Sequence, residues 1–171
     1  LYESKLFSNY NHRHGTFEGV PESIRFNLNA NPNDPTEKEL HDPNFEVVPR
    51  HWVPLDNVKK LYDRKKIPMD GLFSFRNAAR AFPDSRTAIG TLIPFSGVSN
   101  GAPILIFHEK DKKKRNKLMI LFSCVFSSFT FDYLVRQKLS GPNLNKYLLY
   151  QIPIPEPEKF ESVKINYNNK R

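Results

Sequence analysis

The stretch from Phe131 to Pro155, FDYLVRQKLSGPNLNKYLLYQIPIP, leaves the chain few options. It predicts the end of one helix, a glycine turn, a short second helix and an extended exit. Arg136 and Lys138 fall in the last turn of the first helix, where cations suit the carbonyl end of the dipole. Gly141 stands where a left-handed stop is expected, and Pro142 cannot continue a helix. Asn143 or Asn145 can cap the following turn, whose apolar positions are Leu144, Leu148 and Leu149. Ile152-Pro153-Ile154-Pro155 must run extended, because each proline biases the residue before it away from the α region. By itself this punctuation describes a helix-turn-helix edge.

An edge needs a core behind it, and 171 residues suffice for one domain, or one domain with an arm. Leu118 to Leu139 is long enough for a helix with Leu118, Phe122, Val125, Phe129 and Tyr133 on one core-facing stripe, kinked at Ser127-Ser128. Cys124, inside the apolar run LMILFSCVF, reads as a core residue. A single cysteine excludes an intramolecular disulfide and fits a cytoplasmic protein. No apolar run reaches membrane-spanning length and no signal peptide is visible, so no membrane partner is expected. The chain opens at Leu1 without methionine, which predicts a piece of something longer. Residues 1–48 are polar, rich in Asn and Pro and weakly periodic, and predict an irregular N-terminal arm with at most short strands. Residues 49–160 form the expected domain body and 161–171 a tail. Asp56 is placed to cap a helix carrying Val58, Leu61 and Tyr62 on one face, with Trp52 before it as a packing anchor. Two strand-like runs follow, Thr87 to Pro94 and Ile104 to Phe107, separated by Gly97, Asn100 and Gly101. The expected class is α+β, a small mixed or antiparallel sheet with helices.

The net charge of +8 favours an anionic partner such as nucleic acid. Lys59, Lys60, Arg64, Lys65 and Lys66 crowd the outer faces of the first body helix, as a solvated surface or as phosphate contacts. HEKDKKKRNK, residues 108–117, holds six Lys/Arg and reads as a mobile hairpin tip or loop with diffuse attraction for phosphate. Arg76, Arg80 and Arg86 precede the first strand-like run. A planar guanidinium can hold a phosphate, or guanine O6 and N7, through two hydrogen bonds. The alternative for Arg76 and Arg80 is pairing with Asp84 or with backbone. In Ser99-Asn100-Gly101 an amide is available for an adenine edge. His12-Arg13-His14 lacks further ligands at metal spacing, so no metal is expected there.

Several of these words also occur in a particular order: NYNHRHGTFEG after LYESKL, FRNAARAFPDSRTAIGTLIP, SSFTFDY, then Ser140-Gly141, Leu144-Asn145 and Ile152 to Pro155. In that order the chain resembles the target-recognition domains of restriction-modification enzymes. The family includes the TaqI-like specificity domains of adenine-specific DNA methylases, and Type I specificity subunits share the Leu-Asn…Ile-Pro ending. Three positions depart from the pattern: Asn77 replaces an Asp, Phe95 follows Ile93-Pro94 where several members carry Arg, and Ser127 replaces an Asn. The resemblance implies a target-recognition-like fold with double-stranded DNA as partner. Lys5 and Arg13 would face phosphate, and further DNA contacts would come from Arg76, Arg80, Arg86, Ser99, Asn100, Arg136, Lys138, Asn143, Asn145 and Lys146. It also implies a catalytic methyltransferase domain in the same parent chain, which would transfer a methyl group from S-adenosylmethionine to adenine N6. This chain itself would hold no cofactor, and Mg²⁺ would enter only with a fused nuclease.

What the sequence lacks limits its own chemistry. A methylase needs a glycine turn for its cofactor and an Asn/Asp-Pro-Pro-aromatic loop for the flipped base, and Asn31-Pro32-Asn33-Asp34 is a turn without the second proline or aromatic. No P-loop, Ser-His-Asp context or zinc spacing is visible. Two alternatives to DNA recognition stay open. Asp84 and Asp111 with Lys113 crudely match a nuclease pattern in which two carboxylates hold Mg²⁺ and a lysine assists the attacking water. A Phe-rich chain can also serve as a protein-docking module.

Overall fold

The computed structural model describes residues 1–81 and 85–161. A 3₁₀ turn (Ser4–Leu6) and helices α1 (Glu22–Arg25), α2 (Glu37–His41) and α3 (Leu55–Arg64) precede strands β1 (Leu72–Phe75), β2 (Gly90–Ile93) and β3 (Ile104–Leu105). Helices α4 (Lys112–Phe126), α5 (Phe129–Lys138), α6 (Lys146–Leu149) and α7 (Pro157–Glu161) follow. The chain is α+β, and the three strands form an antiparallel sheet in the order β2-β1-β3. Leu72 lies opposite Ile93 and Phe75 opposite Gly90. Phe73 and Ser74 lie opposite Leu105 and Ile104.

All four residues of β1 are buried, because both faces of the sheet are covered. Successive side chains of a strand point to opposite faces, and β1 accordingly divides two cores. Leu72 packs with Tyr2, Leu6, Phe7, Phe17, Val58, Tyr62 and Ile93. Phe73 and Phe75 pack with Phe126, Phe131, Val135 and Leu144 from the C-terminal helices. The expected strands appear in shortened form as β2 and β3. LFSF carries no strand signature in the sequence, since burial on both faces removes the apolar/polar alternation that marks one.

Residues 1–48 are irregular apart from the 3₁₀ turn and two short helices, yet the segment is packed rather than loose. Leu6, Phe7 and Phe17 are fully buried and form much of the first core. Cations tie its turns to carbonyl oxygens. The Arg50 guanidinium pairs with Glu3 and donates to Asn27 O at 2.9 Å while lying over the Phe17 ring. Sequence periodicity could not show this, because the order comes from backbone carbonyls meeting distant side chains.

Several further expectations change. The basic run 112–117 is the start of α4 and not a hairpin tip, since the Asp111 carboxylate caps it by accepting from Lys114 N at 2.7 Å. The kink expected within one helix at Ser127-Ser128 is a full break between α4 and α5, bent by 68°. Ser128 produces it by accepting from Phe131 N (3.1 Å) while donating to Val125 O (2.7 Å). After that bend the helical phase restarts, so Phe129 and Tyr133 leave the predicted stripe for solvent at 81% and 61% exposure. Met119, Ser123 and Phe126 are the buried positions of α4, and Cys124 is exposed, not in the core. Gly141 has no positive φ and α5 closes on an extended Leu139, so the left-handed stop is absent. Asp56 lies within the first turn of α3, whose cap position is Pro54. Trp52 is 76% exposed and anchors no packing.

One glycine is required by close approach. A Cβ on Gly90 would stand 2.8 Å from ring atoms of both Phe73 and Phe126. Those rings meet edge to face at 5.2 Å between centroids, and Phe131 adds a further contact at 4.8 Å.

Candidate nucleic-acid interface

Five of the expected DNA-facing cations are engaged inside the molecule. Lys5 Nζ donates to Ala30 O (2.6 Å) and Asn31 Oδ1 (3.0 Å). Arg13 donates to Leu40 O, Asp42 O and Phe45 O and so clamps the loop after α2. Arg76 donates to Phe7 O and joins the sheet to the N-terminal segment. Arg86 donates to Ser127 O at 2.7 Å, lies 4.8 Å over the Phe129 ring and pairs with Asp132 at 3.4 Å. Arg136 donates to Asp132 Oδ2 (2.8 Å) and Ala81 O (2.6 Å). These contacts commit the four guanidinium groups and the Lys5 ammonium to the fold. The sequence registers arginine but not which carbonyl oxygens will face it.

Asp132 is the centre of that network. Its carboxylate is buried and accepts from Thr87 N and Ala88 N, each at 2.7 Å. Burial works against ionisation. The bonds from Arg136, Ala88 and Thr87 and the charge of Arg86 outweigh it and hold the carboxyl below its ordinary range. His12 and His14 are also depressed, by burial first and then by Arg13 and Arg76 respectively.

The remaining expected residues come together, apart from Lys138, which is exposed on the last turn of α5. Three loops far apart in sequence are knitted edge to edge by backbone. Asn77 N donates to Gly101 O (3.0 Å), Leu144 N to Asn77 O (2.7 Å) and Ala79 N to Pro142 O (2.9 Å). An isolated antiparallel bridge joins Ala78 to Asn143. This seam brings Ser99 and Asn100, Asn77 to Arg80, and Asn143, Asn145 and Lys146 to one place. Asn100, Asn143, Asn145, Lys146 and Arg80 are exposed there. Asn145 occupies the cap position of α6 without a side-chain capping bond. Ser99 is half-buried, and its N–H donates to Tyr2 O at 2.8 Å. The seam rests on Leu144, which is buried in the second core.

Beside the seam, a groove of about 680 Å³ runs between β3 and α6. Ile104, Leu105, Phe107, Phe122 and Leu149 make its apolar walls, and Asn77, Asn100, Asn145, Lys146, His108 and Tyr150 bring polar atoms. Tyr150 is 76% exposed with Lys146 Nζ 5.3 Å from its ring centroid. Tyr147 and Tyr150 were not among the expected site residues. The signal was available, since both stand out of phase with the buried Leu144 and Leu148.

Charge is distributed unevenly. Residues 1–50 hold 8 acids and 5 Lys/Arg, whereas residues 51–171 hold 10 acids and 21 Lys/Arg. The exit of α3 and the start of α4 share one end of the fold: Ile67, Pro68 and Gly71 line a small cavity together with Arg115 and Met119. Asp70 pairs with Arg115 at 2.7 Å and with Lys112 at 3.7 Å. Lys59, Lys60, Arg64, Lys65, Lys66 and Lys113 are exposed.

For the nuclease pattern, Asp111 sits at a helix cap on the surface, and Asp84 lies outside the described residues. Among the described residues, no three His, Cys, Asp or Glu side chains gather as a metal site. No single helix is long and apolar enough to cross a membrane. Neither a family model, nor a curated protein, nor a solved structure matches this chain.

Proposed function

We propose that this chain is a DNA-binding target-recognition domain, which positions duplex DNA for N6-adenine methylation, or linked restriction, by a catalytic domain of the same parent protein. The observation that carries the reading is the seam of three loops. It collects exposed amides and cations from residues 77–80, 99–101 and 143–146 onto a buried support. Asparagine amides suit adenine N6 and N7, and a lysine suits the neighbouring phosphate. The excess of Lys/Arg after residue 50 supplies the sequence-independent attraction that DNA binding requires. The order of sequence words shared with restriction-modification specificity domains agrees with this assignment. S-adenosylmethionine would bind the catalytic domain and not these residues. Magnesium would be needed only by a fused nuclease, and the cytoplasm is the compartment where such enzymes meet DNA.

The test is selection from a random duplex library with the 171-residue chain, followed by fluorescence anisotropy on the enriched sequence. The expected result is an enriched motif. Asn100→Ala should weaken it by about 1–3 kcal/mol while changing random duplex little. Lys146→Ala should flatten the log–log salt dependence by about one unit on both DNAs. Failure to enrich any sequence, with binding that ignores salt, would reject the assignment.

A further inference from the structure

Resting on the DNA-binding reading, the geometry points to a more particular ligand: we propose that the groove between β3 and α6 takes one unstacked nucleobase of the bound DNA. Tyr150 would stack on the base, the Asn100 and Asn145 amides would bond its edge, and Lys146 would hold the adjoining phosphate. The groove, about 680 Å³ and open along one side, has room for a planar base. Its walls are apolar along Ile104 and Leu105, which desolvate the faces of a planar ring, while the polar groups are amides. An amide offers both a donor and an acceptor, as a Watson–Crick edge does. Every base has a π face, and an exposed aromatic ring next to a cation is the usual platform for an unpaired one.

None of the groove residues is acidic and Lys146 is their one permanent cation, which suits an anionic ligand; strand length decides against a peptide. A peptide adding to the free side of β3 would find a strand of only two residues, and so few backbone partners. Taking a base out of the duplex costs a few kcal/mol, least where the base is already unpaired. The groove therefore predicts a preference for DNA that carries an unpaired position over fully paired DNA of the same sequence.

The experiment uses the 171-residue chain and two short labelled duplexes, one fully paired and one with a single unpaired 2-aminopurine. Anisotropy should show tighter binding to the second, and 2-aminopurine emission should change in step with binding. Tyr150→Ala should weaken binding of the unpaired duplex about 5- to 150-fold, and Tyr150→Phe should retain it. Because Tyr150 is 76% exposed, the variants are expected to fold, and circular dichroism checks this. Equal affinity for both duplexes with no effect of Tyr150→Ala overturns the base pocket and leaves DNA recognition standing. An equal loss on both duplexes overturns the base pocket as well. No binding to either duplex overturns both readings.

Discussion

Replacing Asp132 by Asn tests how the body of the domain is held. Asn is nearly isosteric and keeps an acceptor for Thr87 N and Ala88 N, now each at 2.7 Å. What disappears is the charge facing Arg136 at 2.8 Å and Arg86 at 3.4 Å. Removing one member of a buried ion pair costs about 3–5 kcal/mol. The two arginine side chains are 22% and 25% exposed and keep the carbonyl acceptors Ser127 O and Ala81 O, so water and those oxygens recover part of the loss. The lower end applies, about 3 kcal/mol at pH 7. At about 2–4 °C per kcal/mol for a chain of this length, the thermal midpoint should fall by roughly 6–12 °C. Urea unfolding followed by circular dichroism gives the free energy directly. The pH dependence has a definite sign. The folded state depresses the Asp132 carboxyl, so its stabilisation is complete above the unfolded value near 3.8 and disappears as pH falls below it. The gap between wild type and Asp132→Asn should therefore close in acid. A loss below about 1 kcal/mol at pH 7, or a gap that stays constant down to pH 2, refutes the reasoning.

Gly90→Ala drives a methyl into the Phe73 and Phe126 rings and should cost about 1–3 kcal/mol in urea unfolding, without altering DNA affinity per folded molecule. Arg50→Ala leaves Glu3 buried without its partner, with both side chains at most 12% exposed, and should destabilise by about 3 kcal/mol or more. His12 and His14 are depressed in the fold, so the unfolded chain binds protons first and stability should begin to fall below about pH 6.5. A flat profile from pH 7 to pH 5 in His12→Gln/His14→Gln, set against a falling wild type, is the expected readout. Wild-type protein with Mg²⁺ should leave plasmid DNA intact, and Asp111→Ala should lower the helix signal and midpoint through loss of the α4 cap; cleavage lost in Asp111→Ala would restore the nuclease reading.

The class of fold was legible because its signals are local. Asn145 at the start of α6, the break at Ser127-Ser128 and the strands around Gly90 and Ile104 all follow from residues within a few positions. The roles of the arginines were not legible. Arg86 and Arg136 look like DNA contacts from their chemistry, and only Asp132, 46 residues beyond Arg86, turns them inward. Lys5 and Arg13 are decided the same way by carbonyl oxygens 25 to 32 residues away. Residues 1–48 gave only a weak periodic signal because their apolar residues enter the core at uneven spacing from irregular backbone. Of the candidate site, Asn100, Asn143, Asn145 and Lys146 were named from sequence, but their meeting depends on three backbone bonds that no spacing rule contains.

Those three bonds carry a practical consequence for anyone who would alter what the surface recognises. The loops at 77, 100 and 143 are strung along the chain, yet each donates to or accepts from its neighbour. No excised peptide, however well chosen, would retain the arrangement, because a short segment lacks the partner that fixes its backbone. Grafting a new preference would require replacing the loops as a matched set on this scaffold. A library that randomises Asn100, Asn143 and Asn145 together, while keeping Gly101 and Leu144, would search that space without unpicking the seam.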